Sequence, residues 1–241
     1  MKNFYLLIFT LFFFSQSFGQ GILSETGGKL YIGASAGPSF PVGDYGDADA
    51  GSNKSGYATT GYKVEVSAGV RLFNILELTV MGFRNVNGTD PENLKTYLTD
   101  LNPAANFNVE SDDWIINGGM GGIGISYPLP NHFIADIRVL GGYMDITSPK
   151  FYFTTANPGV YYKIESATTS SFVYLTSVSV RYPVISRIYV SLGFDYLGSS
   201  ADFNDVKTIR SFEGNVVETT QSFEQSLDTW AFTAGIKLFV L

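Results

Sequence analysis

The chain has 241 residues, 45% of them hydrophobic, 15% aromatic and 15% charged, with a formal net charge of −7 and no cysteine. The acidic balance argues against nucleic acid as a partner and against adhesion to anionic membrane surfaces. The lack of cysteine excludes a lipidated anchor and a disulfide-stapled domain, and the length fits a single domain.

Lys2 followed by the apolar run Phe4 to Phe14 (interrupted at Thr10) and by Ser17-Phe18-Gly19 is the pattern of a cleaved signal peptide over residues 1–19, with the barrel domain over 20–241. That run is shorter than the roughly 20 residues a transmembrane helix needs. An exported, aromatic-rich chain with no spanning helix is expected to form a closed β-barrel, because only helices and closed barrels satisfy every backbone polar group in lipid.

Alternation with a period of two predicts eight strands, at Lys29–Phe40, Thr59–Phe73, Ile75–Arg84, Trp114–Tyr127, Phe133–Asp145, Phe172–Tyr182, Arg187–Leu197 and Thr229–Leu241. In the second, Tyr62, Val64, Val66, Ala68, Val70 and Leu72 oppose Lys63, Glu65, Ser67, Gly69 and Arg71. The sixth sets Phe172, Tyr174, Val178, Val180 and Tyr182 against Ser177, Ser179 and Arg181, and the seventh sets Val190, Leu192 and Phe194 against Ser191, Gly193 and Asp195. Glycines at 118, 119, 121, 122 and 124 blur both faces of the fourth.

The connections alternate between short ones, around Asn74, Pro128–Asn131 and Pro183–Ser186, and long ones, Pro41–Ala58, Asn85–Asp113, Ile146–Ser171 and Gly198–Asp228. Prolines 128 and 183 each follow a tyrosine and are expected to stop the ladder. Asp90 and Pro91 suit a helix start, and Leu94, Leu98 and Leu101 form one stripe, which predicts a short helix packed on neighbouring loops. The third and fourth long loops have strand-like arms around Asn157-Pro158-Gly159 and Glu213-Gly214-Asn215, expected to extend the wall and to offer edges to a protein partner. Trp114 and Trp230 are expected in an outer aromatic girdle, with Tyr127 and Tyr182 in the inner one.

In the last strand Trp230, Phe232, Ala234, Ile236, Leu238 and Val240 form a wholly apolar face, while the opposite face is mixed and carries Lys237. Together with the eight alternating segments, this resembles the small eight-stranded OmpA/OmpX-type barrels of Gram-negative outer membranes. Thr233, Gly235, Leu238 and Val240 resemble the terminal signal read by the barrel-insertion machinery, although the chain ends Phe239-Val240-Leu241 where many such barrels end on phenylalanine. No appended peptidoglycan-binding domain is expected after Leu241. The resemblance implies an all-β fold: an eight-stranded antiparallel up-and-down transmembrane barrel with short periplasmic turns and four long extracellular loops.

The predicted lumen holds Lys63, Glu65, Arg71, Glu77, Asp136, Arg138, Arg181, Asp195 and Lys237. An eight-stranded interior is just wide enough for side chains, and buried charges persist only when paired, so these are expected to form an ion-paired plug; a polar conduit is the competing reading. Loss of Lys2 with the leader makes the chain −8, and a lumen sum of +1 leaves −9 for loops and turns. Asp47, Asp49 and Asn53 near Gly51 offer oxygen ligands, but not with EF-hand spacing. Barrels of this type that modify lipid A use a histidine near the outer leaflet, whereas the sole histidine, His132, falls in a short periplasmic turn. No metal site, cofactor or catalytic set is expected. Asn87-Gly88-Thr89 fits a glycosylation pattern that carries no information in such a loop. The expected partners are outer-membrane lipid, the insertion machinery and a protein partner in an outer-membrane complex. The expected role is surface interaction or membership of a larger assembly, with a small-solute or hydrophobic-compound channel as the alternative and a lipid-modifying enzyme third.

Overall fold

Strands with one apolar and one small or polar face can close on themselves so that lipid meets only side chains and no edge is left unpaired. The computed structural model describes residues 30–240 apart from 50, 53, 73, 74, 104, 105 and 158; the leader lies outside the described residues. In chain order the elements are β1 (Leu30–Val42), β2 (Ala58–Leu72), β3 (Leu76–Thr89), α1 (Pro91–Leu101), β4 (Asn108–Ser111), β5 (Trp114–Pro128), β6 (Ile134–Thr147), β7 (Phe151–Thr154), β8 (Tyr161–Ile164), β9 (Thr168–Ile185), β10 (Ile188–Phe212), β11 (Asn215–Ser226) and β12 (Asp228–Phe239).

Eight of these form a ring in the order β12-β1-β2-β3-β5-β6-β9-β10, closed by β10 on β12, with every neighbour antiparallel. These are the eight expected strands. Four strand ends lie three or more residues from expectation, among them β3, which runs past Arg84 to Thr89, and β9, which begins at Thr168. β9 runs through Pro183 to Ile185, with a register shift at Ile188/Tyr189 beside the proline absorbing its missing donor. β10 continues to Phe212, far past Leu197. A tilted strand crosses a bilayer in roughly 9–11 residues, so the 25-residue β10 projects well beyond it.

That projection carries a second, extracellular sheet in the order β4-β7-β8-β10-β11. The hairpins expected around residues 157–159 and 213–215 are β7–β8 and β10–β11. α1 starts as expected, with the Asp90 carboxylate accepting from the Asn93 N–H. Its stripe, however, is not buried: Leu94 and Leu98 are half-buried and Leu101 is 66% exposed.

The outer wall carries Val66, Val80, Ile123, Ile137, Val139 and Leu192 between an upper rim (Tyr62, Tyr143, Phe172, Tyr174, Trp230) and a lower one (Tyr127, Phe133, Tyr182). Trp114 departs from expectation. It shares a face with Ile116 and Met120, is 3% exposed, and points inward, where its indole N–H donates to the Gly56 carbonyl at 3.0 Å. The glycine-rich β5 gave no clean alternation from which that orientation could be read.

Candidate functional site: the lumen and the extracellular sheet

Strand alternation sends Lys63, Glu65 and Arg71 inward from β2, Glu77 from β3, Asp136 and Arg138 from β6, Arg181 from β9, Asp195 from β10 and Lys237 from β12; none is more than 7% exposed. The structure brings them into two clusters. In the one nearer mid-barrel, Lys63 Nζ lies 2.6 Å from Asp195 Oδ2 and 2.9 Å from Glu65 Oε2. Arg138 Nη2 lies 3.6 Å from Glu65 Oε1 and 4.0 Å from Asp195 Oδ1, and donates to Ser177 Oγ at 3.1 Å. The four charges cancel.

In the second cluster, near the short-turn end, Arg181 Nη2 lies 3.3 Å from both Glu77 Oε1 and Asp136 Oδ1. Arg71 pairs with Glu77 at 3.3 Å and Lys237 with Asp136 Oδ2 at 3.1 Å. Ser126 Oγ sits 2.8 Å from Glu77 Oε1 and 2.7 Å from Asp136 Oδ1; its single proton serves one of them at a time, and it accepts from Arg181 Nη2. Three cations thus share two carboxylates, and aromatic faces supply the rest: Arg71 and Arg181 lie 5.1 and 5.2 Å from the Phe239 ring centroid, and Lys237 lies 5.1 Å from that of Tyr31. This aromatic floor was missed in the sequence, although Tyr31, Tyr189 and Phe239 stand at inward positions of their strands.

A polar cavity of ≈ 20 Å³ is lined by Ser35, Ser67, Ser179 and Ser191 with Glu65 and Arg138. It has room for about one water molecule. Toward the extracellular side the interior turns apolar: Met81, Phe83, Ile116, Met120, Leu140, Met144, Leu175 and Leu197 form a packed core. This layer also escaped the sequence reading. Its signal was the inward apolar residues of β3, β5 and β6, set beside glycines that make room. A methyl group on Gly118 would lie 2.4 Å from the Phe83 ring, and one on Gly122 2.2 Å from the Val139 carbonyl.

The core continues into the extracellular sheet through Trp114, Phe203 and Leu227, and the first long loop closes it from above. Tyr45, at the end of a one-turn 3-10 helix (Gly43–Tyr45), is fully buried against Trp114, with ring centroids 5.5 Å apart. Among the described residues its hydroxyl has no hydrogen-bond partner, and burial pushes its pKa above the ordinary tyrosine value. Asp47 and Asp49 turn inward on their own loop. Asp47 accepts from the Asp49 N–H and from Ser55 Oγ, and Asp49 accepts from the Gly51 N–H. Asn53 lies outside the described residues.

The remaining candidates stand apart from the lumen. His132 is exposed in the one-turn helix Pro130–His132 at the short-turn end, at φ +67°. In β12, Thr233 faces inward and Leu238 outward, as does Val240 just past its end, while Gly235 lets β1 approach so closely that a methyl group would lie 2.5 Å from Ser35 Cβ.

No protein-family model and no curated protein matches the sequence. Among solved structures the chain is similar to Neisserial surface protein A, with 14% identity over 88% of this chain and 97% of that chain and a TM-score of 0.44. It is similar to the attachment invasion locus protein of Yersinia pestis, with 11% identity over 88% and 99% and a TM-score of 0.41. A major outer membrane protein from Thermus thermophilus gives 11% identity over 87% and 98%, with a TM-score of 0.48. The fold itself rests on the closed eight-strand ring described above.

Proposed function

We propose that this chain is a non-enzymatic barrel of the bacterial outer membrane, with a filled, ion-paired lumen, acting through its extracellular part in surface interaction or as a subunit of a larger outer-membrane assembly. The observation that supports this most is the division of the molecule. The interior is filled by two charge clusters and an apolar core, whereas the extracellular side is built out into a sheet with exposed strands. In this reading the nine lumenal charges are structural, residues 1–19 direct export, and Thr233, Gly235, Leu238 and Val240 serve insertion. His132 takes no part in chemistry.

Two measurements test it. Purified protein in planar bilayers is expected to give no single-channel steps; reproducible conductance would move the chain to the channel reading. Gentle-detergent extraction of the native protein, with size determination and mass spectrometry, is expected to retain a stoichiometric protein partner.

A further inference from the structure

The upper part of β10 has β8 on one side and β11 on the other, whereas among the described residues β11 is paired on one side only. Glu213 and Gly214, both at positive φ, close the hairpin in two residues, so Phe212 and Asn215 form its terminal hydrogen-bonded pair. Antiparallel alternation from there directs the backbone N–H and C=O groups of Val216, Glu218 and Thr220 away from β10. All three residues are exposed, and among the described residues no strand pairs with that edge. The opposite edge of the sheet, β4, has four residues and packs against α1. By contrast β11 has twelve residues, with no proline and no lysine to guard it.

The charge beside this edge is mainly acidic, although Glu224 accepts from Ser200 Oγ and the exposed Lys54 lies nearby, its carbonyl accepting from Gln225 Nε2. Asp202 and Glu224 stand directly opposite each other at the hairpin base, an arrangement in which like charges repel. Among the described residues neither is in an ion pair. Of the nearby cations, Lys207 is held by Glu218 at 2.9 Å and Arg210 lies over the ring of Tyr162.

We propose that the free edge of β11, from Val216 to Glu224, receives an extended, basic segment of a partner polypeptide as an added strand. This rests on the surface-interaction reading above and names the partner's chemistry. Only extended backbone matches a row of N–H and C=O groups at strand spacing. A lysine or arginine on that segment beside Asp202 and Glu224 would relieve their repulsion, and apolar residues would cover Val216 and Val217. A second copy in the same membrane fits worse. Its β11 points the same way and carries the same carboxylates, so two such edges would set Glu218 and Glu224 against their own kind.

The test uses the full-length barrel in uncharged detergent micelles and a labelled octapeptide of alternating threonine and valine with two lysines, read by fluorescence anisotropy. The lysine peptide is expected to bind saturably and at least tenfold more tightly than its counterpart with two glutamates. Thr220→Pro removes one outward N–H without touching the ladder to β10, and is expected to abolish binding; Glu224→Lys should reverse the peptide preference. Resistance of each variant to SDS at room temperature reports an intact barrel. Undiminished binding to the Thr220→Pro barrel would overturn the edge as the site. Equal binding of both peptides would overturn the basic partner, and no binding to the folded wild type would overturn the proposal. If the native partner stays with the Thr220→Pro barrel on gentle extraction, the surface reading survives and the edge does not. If neither barrel retains a partner, the assembly reading itself falls.

Discussion

Arg181 shows how much one lumenal side chain holds. It touches Glu77, Asp136 and Ser126 and lies over two aromatic rings, so its removal breaks two buried ion pairs at once and leaves Glu77 to Arg71 and Asp136 to Lys237. Breaking a buried pair from one side costs about 3–5 kcal/mol. Arg181→Met is expected to lose that much in urea unfolding from lipid vesicles. Glycines divide just as sharply. A methyl group on inward Gly142 would sit 2.0 Å from the Gly119 carbonyl, whereas on outward Gly121 nothing lies nearer than 3.7 Å. Gly142→Ala is expected to cost about 1–3 kcal/mol and Gly121→Ala to be nearly neutral in the same assay. Tyr45 gives the pH dependence. Its pKa is raised in the folded protein, so the protonated form holds the first loop down. That stabilisation is complete below the ordinary tyrosine pKa of about 10 and is lost as pH rises beyond it. Tryptophan fluorescence is expected to report release of Tyr45 from Trp114 above that pH, and Tyr45→Phe to remove the step without destabilising the barrel. Which way each of these side chains points was legible wherever alternation was strict. Which charges pair was not, because Lys63 and Asp195 meet across the lumen from strands distant in the sequence.

Strands inherit that legibility. β2, β9, β10 and β12 carry a clean two-residue code, and their inward and outward sets follow from it directly. β5 does not, since glycine fits either face; Trp114 was therefore placed in the girdle when it belongs to the core. α1 was legible as a helix through Asp90 and Pro91, but the fate of its stripe was not, because that depends on how the neighbouring loops fold. The register makes its own prediction. Arginine at Val66 or Leu192, both outward, is expected to cost about 2–4 kcal/mol if placed at the bilayer midplane. Asparagine at Ser67 or Ser191, which line the polar cavity, should cost less, since its amide meets polar partners and fills about one water's space. Equal losses in vesicle unfolding would refute the assigned faces.

For the molecule as a whole, the interior is layered: an aromatic and charged floor, a charge-balanced middle, and an apolar top sealed by the first loop. Composition announced the barrel, but the apolar top was hard to read, as its inward residues stand among glycines on β5 and β6 that blur the alternation. The long β10 adds something of a different kind. It runs from the short-turn rim to the tip of the extracellular sheet, past a register shift between Phe203 and Val206, with β9 and β12 bonded along its lower part. A pull on the tip along the strand therefore loads the barrel ladders in shear, many bonds at once, instead of peeling them one by one. Force arriving at the tip meets an anchor, and a tethered object should tear free at its own attachment before the wall opens.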